Sequence, residues 1–316
     1  MSTKRKRLIV AVVMVIVVVG LGPYLYSRYA ASNRRVQVFT SQQANVPEFS
    51  GSLKIVCFNI AHGRGATDDN WAEGGAPKVR RLEEIADLLI KIDADIVVLN
   101  EVDFDSTWSG SVNQSELLAR LARYPFRMER RNLDFGFVYG SWKFGNAVLS
   151  KFPITQTSPA DLPVHATWES LLAGAKSGAF CEIALDDQTK IDLMAVHLEH
   201  RSELTRVQSA RRIVELAQSS DRPMIVAGDF NSTPSGFPFS DSTEQNDNAL
   251  NLLLQSKAFK TQPTENPTNS DLTFPSDQPD RVIDWIMIPN YANFDSYKVI
   301  ETKLSDHLPV VARIQL

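Results

Sequence analysis

Met224-Ile-Val-Ala-Gly-Asp229-Phe-Asn231-Ser-Thr-Pro234 combines a short apolar run with two polar side chains placed directly after it. The run predicts a buried strand, and the neighbouring glycine and proline are typical of turns. Side chains two residues apart on an extended chain point the same way, so Asp229 and Asn231 should converge. A carboxylate can orient or deprotonate water, and a carboxamide can donate to a phosphoryl oxygen. Because Asp and Asn also form ordinary turns, this stretch alone leaves both interpretations open.

Six further segments repeat this pattern of an apolar strand that ends in a polar side chain. They are Leu53–Gly63, Asp95–Asp103, Gly145–Ile154, Met194–Leu198, Arg281–Pro289 and Leu304–Val311. In this order, and ending in Ser-Asp-His, the set resembles the endonuclease/exonuclease/phosphatase superfamily. That superfamily includes pancreatic-type deoxyribonucleases, apurinic endonucleases, neutral sphingomyelinases and inositol-polyphosphate 5-phosphatases. The resemblance covers roughly residues 52–316.

The hydrophobic pattern predicts an α/β fold in one large domain, since the motifs spread from Asn59 to His307 and must meet at one site. Apolar runs predict strands at 53–60, 96–99, 145–150, 180–185, 190–197, 224–227, 282–288 and 310–314. Helical spacing of apolar residues occurs at 79–92, 205–217 and 248–256. Such a mixture suits two sheets packed face to face with helices outside. The resemblance implies a four-layer α/β/β/α sandwich of two mostly antiparallel sheets, with the site between the sheets.

The amino-terminus has a different character. Residues 1–7 form a basic, cytoplasmic tail, and the uncharged run from Leu8 to Tyr26 predicts a transmembrane helix about 28 Å long. Residues 27–51 are then a linker and residues 52–316 the catalytic domain. Four cations before the span favour a single-pass membrane protein with an extracytoplasmic catalytic domain. A cleaved signal peptide is the alternative.

The charge balance limits the classes of partner. Residues 1–35 carry seven Lys or Arg and no acidic residue. The rest of the chain therefore holds 26 basic and 37 acidic residues. A chain this acidic lacks the broad basic surface of a nonspecific nucleic-acid binder, although a local groove and a bound metal can reverse the local field. Cys57 and Cys181 both lie in apolar runs and are expected to be buried thiols.

Phosphoester cleavage requires a hard cation on phosphoryl oxygens, an activated water and an acid for the leaving oxygen. Glu101 is the first candidate ligand for Mg²⁺ or Mn²⁺, because a carboxylate at the end of an apolar strand needs a partner. Asn59 would lie beside it as a ligand or phosphate donor. The resemblance places Asp306 at the same metal-binding end.

His307 is the candidate for proton transfer, since histidine titrates near neutrality. The resemblance pairs it with Asp284, which would fix its tautomer. Asp229 would orient or deprotonate the attacking water, and Asn231 would brace the phosphate. Whether Asp229 or His307 is the general base stays open at this level.

His197 matches a second catalytic histidine of the deoxyribonuclease-like and sphingomyelinase-like members. The acidic partner expected for it is replaced here by Gly145-Asn146, and Asn100 stands where the resemblance leads one to expect Gln. The candidate substrate contacts are Asn146, His62, His200 and Arg201. His62, His200 and Arg201 could equally be solvated loop residues without a role in binding.

Together these features predict a Mg²⁺-dependent or Mn²⁺-dependent phosphoester hydrolase that acts as a monomer. An acidic body on a membrane favours a phosphodiesterase for a lipid headgroup, or a small phosphate ester as substrate. The alternative is a surface nuclease that acts on DNA or RNA. A non-enzymatic binding module is a contrasting class, and an intact set of motifs argues against it.

Overall fold

The computed structural model describes residues 3–33, 36–42, 44–137, 140–165, 174 and 178–316. The strands described are β1 (Gln37–Thr40), β2 (Ser52–Asn59), β3 (Ile96–Asp103), β4 (Phe126–Phe137), β5 (Gly140–Ser150), β6 (Ile154–Ala160), β7 (Gly178–Ala184), β8 (Lys190–His197), β9 (Met224–Asp229), β10 (Phe259–Lys260), β11 (Asp284–Pro289), β12 (Asn293–Val299) and β13 (Val310–Gln315). The α-helices are α1 (Thr3–Asn33), α2 (Gly75–Ile92), α3 (Gln114–Leu121), α4 (Glu203–Ser219) and α5 (Ala249–Gln255). Short 3₁₀ turns lie at Ala61–Gly63, Thr107–Ser109 and Asn269–Asp271.

The strands form two mixed sheets. The first sheet has the order β1-β4-β5-β3-β2-β13-β12, and the second has the order β10-β11-β9-β8-β7-β6. Each sheet is antiparallel except at one central pair, β2 with β3 in the first and β8 with β9 in the second. Parallel neighbours place their carboxyl ends at the same edge. Each sheet therefore brings two strand ends together near its centre.

The strands are apolar on both faces because each sheet is covered on both sides. In β2, Leu53, Ile55 and Cys57 face the core between the sheets, whereas Val56 and Phe58 pack toward α2 and α3. The second sheet packs its other face against α4 and α5. The structure confirms the predicted sandwich, with helices outside two stacked sheets.

The outer helices follow from local sequence signals. In α2, Leu82, Ile85 and Leu89 recur at helical spacing and are buried, and the helix ends at Asp93 in the left-handed conformation. Ser202 caps α4 by accepting a hydrogen bond from Thr205 N. These helices begin and end close to the predicted bounds. The strand predicted at 96–99 continues to Asp103, which carries Glu101 into the site.

The amino-terminal region departs from its prediction. Residues Thr3–Asn33 form α1, but no helix among the described residues is both long and apolar enough to cross a membrane. The predicted transmembrane helix from Leu8 to Tyr26 is therefore not supported. Within the predicted linker, Gln37–Thr40 pairs with β4 as the edge strand of the first sheet. Residues 34, 35 and 43 lie outside the described residues.

Both cysteines lie in the core between the sheets. Cys57 and Cys181 are free, fully buried thiols, as predicted. Burial raises the pKa of each thiol.

Candidate active site

The site lies where strand ends of the two sheets meet. In the first sheet Asn59 pairs in register with Asn100, and in the second His197 pairs with Asp229. Asp284 on β11 is the antiparallel partner of Asp229. Registers of this kind bring side chains from distant parts of the sequence onto one edge. The strands therefore supply six of the twelve predicted site residues, which are Asn59, Glu101, Asn146, His197, Asp229 and Asp284.

Asn100 ties the two sheets together beneath the site. Its Nδ2 donates to Val196 O at 2.8 Å and to Asn146 Oδ1 at 3.0 Å. Its Oδ1 accepts from Asp229 N at 2.9 Å. All three partners are buried, so a residue with both a donor and an acceptor is needed here. Asn146, predicted to contact substrate, thus has a hydrogen bond within this buried link.

Asp284 and His307 form the predicted pair. His307 Nδ1 lies 2.8 Å from Asp284 Oδ2, and the Phe274 ring lies 4.7 Å from the imidazole between centroids. Burial lowers the pKa of His307, but the carboxylates of Asp284 and Asp229 raise it by more, to about 10. This shift favours the doubly protonated ring. The arrangement favours a proton donor over a general base at neutral pH.

Asn59 and Asp229 complete this buried group, which is called the proton-transfer group from here on and comprises Asn59, His197, Asp229, Asp284 and His307. Asn59 Nδ2 donates to Asp229 Oδ2 at 3.2 Å and lies 3.3 Å from His307 Nε2. His197 Nε2 lies 3.5 Å from Asp229 Oδ2. His307 Nε2 lies 3.8 Å from the same oxygen, so protonated histidines here would face an anion.

A second group, the carboxylate pair, consists of Glu101 and Asp306. The Arg64 guanidinium bridges them: its Nη1 lies 3.2 Å from Glu101 Oε2, and its Nη2 donates to Asp306 Oδ2. Burial raises the pKa of the Asp306 carboxyl, while His307 and Arg64 act in the opposite direction. His197 Nε2 lies 4.0 Å from Glu101 Oε1 and so connects this pair to the proton-transfer group.

His62 supports Glu101 from the far side. Its Nε2 lies 3.4 Å from Glu101 Oε2 and its Nδ1 lies 3.0 Å from Asp103 Oδ1. Burial lowers the pKa of His62, but Asp103 and Glu101 raise it by more. The ring also packs against Trp108, with centroids 4.8 Å apart. His62 was predicted as a substrate contact, and the structure places it beside the predicted metal carboxylate. Its contact with substrate stays a prediction.

The residues present fit a hard divalent cation. Glu101 and Asp306 already share one positive group, and carboxylates are the oxygen ligands that Mg²⁺ prefers. Asn59, the third predicted ligand, turns its Nδ2 toward Asp229 while its Oδ1 accepts from Ala61 N at 3.0 Å. Its part in holding a metal stays a prediction.

A second set of possible ligands lies within the proton-transfer group. Asp229, Asp284 and His307 each place one ligand atom within 4.8 Å of the others. Asp284 Oδ1 is buried and has no hydrogen-bond partner. A cation there would, however, compete with the 2.8 Å bond between Asp284 and His307. The carboxylate pair is also more open to the water molecules that Mg²⁺ retains, so it is the better place for the ion.

Two predicted substrate contacts lie apart from the buried side chains. His200 and Arg201 are both exposed. His200 Nδ1 lies 3.2 Å from Glu199 Oε1, and Arg201 Nε donates to His200 Nε2 at 3.1 Å. Asn231, by contrast, lies next to Asp229, and its Nδ2 donates to Leu198 O at 3.1 Å.

Arg64 is the residue at the site that the sequence interpretation missed. It follows the motif that ends in His62-Gly63, and its position directly after that motif was the available signal.

The backbone is strained at three residues of the site: Glu101, His62 and Asn231 have φ of 52°, 55° and 48°. Non-glycine residues with positive φ are uncommon and cluster at functional sites.

Comparison with known proteins agrees with this geometry. Residues 56–307 match the Endonuclease/Exonuclease/phosphatase family. The uncharacterised protein YbhP of Escherichia coli K12 is 27% identical over 278 residues, which cover 84% of this chain and 97% of that protein. An endonuclease/exonuclease/phosphatase from Bacteroides vulgatus has a TM-score of 0.62 at 18% identity, covering 84% of this chain and 99% of the other. The mannosyl-6-phosphatase of Bacteroides thetaiotaomicron has a TM-score of 0.59 at 14% identity, covering 84% of this chain and 100% of the other.

The family match extends over most of the length of this chain. The chain therefore belongs to the Endonuclease/Exonuclease/phosphatase family, whose members hydrolyse phosphoesters and are generally metal-dependent.

Proposed function

We propose that this protein is a Mg²⁺-dependent or Mn²⁺-dependent phosphoester hydrolase. The observation that supports it best is the position of a buried Asp284–His307 pair next to two carboxylates, Glu101 and Asp306, that share one positive group. This arrangement provides a proton-transfer group and a cation-binding pair within one site. A bound cation would polarise the phosphoryl oxygens.

In the proposed reaction, water attacks phosphorus and the bond to the leaving oxygen breaks. His307, whose pKa is raised to about 10, donates its proton to that oxygen. Asp229 orients the water and accepts its proton, because His307 as the proton donor cannot also be the base. The Asp229 Oδ2 atom lies 3.5 Å from His197 Nε2 and 3.8 Å from His307 Nε2. This assignment makes Asp229 the base. Asn59 and Asn231 supply amide donors at the edge of the phosphate site.

The preferred substrates are a lipid headgroup diester or a small phosphate ester. Outside residues 1–35 the chain holds 26 basic and 37 acidic residues, which disfavours long polyanions. The related fold of a mannosyl-6-phosphatase is consistent with a small ester. The alternative is a nuclease that binds DNA or RNA through a local groove.

A substrate panel tests the proposal with the full-length chain. We expect hydrolysis of bis-p-nitrophenyl phosphate, or of a natural diester, with Mg²⁺ or Mn²⁺ and none after thorough chelation. Plasmid DNA, RNA, sphingomyelin, phosphatidylinositol and inositol phosphates would then be compared at fixed salt. Turnover of DNA far above every lipid and small ester would support the nuclease instead. Full activity after chelation would refute the metal role.

We also propose a monomer whose catalytic domain lies outside the cytoplasm, which rests on the four cations of residues 4–7 ahead of the uncharged run of residues 8–26. Carbonate extraction of membranes and protease digestion from outside would test the location. Release of the protein into the soluble fraction, or protection from external protease, would contradict it.

A further inference from the structure

Arg64 joins the carboxylate pair to a neighbouring loop. On one side its guanidinium binds Glu101 Oε2 and Asp306 Oδ2. On the other side its Nε donates to Thr67 O at 2.7 Å and its Nη1 donates to Asn70 Oδ1 at 3.1 Å. The side chain is only 11% exposed, so these bonds form with little competition from water.

A cation bound to Glu101 Oε2 and Asp306 Oδ2, the two oxygens that Arg64 already brings together, would compete directly with the guanidinium. Both positive groups cannot occupy one position, so the ion must displace the guanidinium. Charge-assisted hydrogen bonds to carboxylates are among the stronger ones in proteins, and their loss must be compensated elsewhere. An arginine released beside a phosphoester site has one obvious new partner, because the planar guanidinium matches two phosphoryl oxygens.

We propose that Arg64 is a phosphate-binding residue that exchanges partners: the divalent cation takes Glu101 and Asp306 from it, and its guanidinium then binds the phosphoryl group of the substrate. This proposal rests on the proposed function of the same site. It assigns Arg64 two successive roles, first as the counter-charge of the carboxylate pair and then as a substrate ligand.

The loop side of Arg64 supports such an exchange. Thr67 O and Asn70 Oδ1 hold the guanidinium independently of the carboxylates, so the side chain stays at the site when its carboxylate bonds break. The loop itself is fixed by other cations. Lys78 Nζ donates to Asn70 O at 2.7 Å, and Arg81 donates to Gly63 O at 2.5 Å. These contacts keep Arg64 close to the carboxylate pair while it changes partners.

Arg81 offers a matched control. It also lies beside this loop, where it binds Gly63 O and both oxygens of Glu73, and its partly buried side chain is 19% exposed. These bonds do not involve Glu101 or Asp306. Arg81→Gln therefore removes a cation of the same type and a loop anchor, while the carboxylate pair keeps its bridge.

The test measures binding of Mn²⁺ alone and of inorganic phosphate to the full-length chain by calorimetry, for wild type, Arg64→Gln, Arg64→Lys and Arg81→Gln. Because Arg64→Gln lacks the guanidinium that competes for the carboxylates, Mn²⁺ should bind this variant about tenfold more tightly than wild type. At saturating Mn²⁺, phosphate should bind that variant about tenfold more weakly. Arg64→Lys should lie between, because lysine keeps the charge but not the planar fork. Arg81→Gln should match wild type in both measurements.

Each result decides the proposal. Weaker or unchanged Mn²⁺ binding in a folded Arg64→Gln would overturn the competition, and unchanged phosphate binding would overturn the substrate role. Equal shifts in Arg81→Gln would show that the loop, and not the exchange, is responsible. If both Arg64 shifts occur but wild type hydrolyses no phosphoester, the exchange stands and the proposed function fails.

Discussion

The proton-transfer group and the carboxylate pair adjoin each other, yet they compensate their charges in different ways. Asp229 and Asp284 are almost completely buried, with side chains 2% and 1% exposed, and histidine and amide side chains surround them. Of these partners, Asn59 and His197 lie on strands, and His307 lies in the loop before β13. Glu101 is 23% exposed and faces an arginine that reaches it from a loop. One group is held by buried side chains, and the other by a positive charge that a cation can replace.

This difference separates two requirements of phosphoester hydrolysis. Proton transfer needs fixed distances between donor and acceptor, which buried and hydrogen-bonded side chains provide. Metal binding needs access for the ion and its water ligands, which a partly exposed pair provides. His197 lies near both Asp229 and Glu101, so it is the side chain through which the two groups contact each other.

The largest expected effect comes from removing one member of each group. Glu101→Gln and His307→Gln should each lower kcat/KM by about 10²-fold or more. A large excess of Mn²⁺ should partly restore Glu101→Gln, because its defect is weakened ion binding. The same excess should leave His307→Gln unchanged, because its missing proton donor is unrelated to the ion. Steady-state kinetics at increasing Mn²⁺ concentration would measure kcat/KM of both variants.

Asp186 provides a control for the loss of one acidic group. It is exposed and accepts hydrogen bonds within its own turn, from Gln188 N and Thr189 N among others, so Asp186→Asn should keep wild-type kinetics. Equal rescue of both site variants by Mn²⁺ would show that the two groups are not functionally separate.

The next effect concerns the link between the sheets. Asn100→Ala would leave the buried groups of Val196 O, Asn146 Oδ1 and Asp229 N without this partner. We expect a loss of about 3 kcal/mol in the free energy of unfolding, since each buried unsatisfied group is costly. Urea denaturation would measure it. A change below about 0.5 kcal/mol would mean that water replaces the side chain without penalty.

The sequence predicted the central motif strands better than it predicted the edges of the fold. Strands such as Lys190–His197 were recognised because they are apolar on both faces. β4 was missed because it carries Arg127, Glu129, Arg131 and Asp134, which are buried as ion pairs with one another and hide the strand pattern. Periodicity detects hydrophobic burial and does not detect charges that are buried together.

Within the site, residues on motif strands were predictable, and only some of their partners were. The resemblance supplied Asp284 with His307, a pair that the structure forms. The role of Asn100 depends on three atoms from three other strands, and no local pattern contains that information. Arg64 was missed because only the folded chain shows that it reaches both Glu101 and Asp306.

A smaller effect is the pH dependence of stability in metal-free protein. The pKa of His307 is raised to about 10 in the folded state, against about 6.5 in an unfolded chain. The stabilisation by its imidazolium is therefore fully present below about pH 6.5 and is lost as the pH rises through about 10. His307→Gln removes this dependence. The difference in Tm between wild type and variant, in chelator, should be largest near pH 6 and shrink by pH 10. A difference that grows with pH would mean that the folded protein holds a neutral ring.

The smallest effect is expected at His200 and Arg201, and it distinguishes the two substrate classes. Both residues are exposed, and interactions between exposed charges contribute little because water screens them. For a small ester, Arg201→Ala should therefore change kcat/KM by less than about twofold, in contrast to Arg64→Gln.

A long nucleic acid would extend beyond the buried groups and contact such an exposed cation. Loss of the Arg201 cation would then reduce the dependence of binding on salt concentration. Kinetics of Arg201→Ala on a small ester and on DNA, each in a salt series, make the comparison. A marked loss confined to DNA would show that the exposed rim binds substrate, and would favour the nuclease over a small-ester hydrolase.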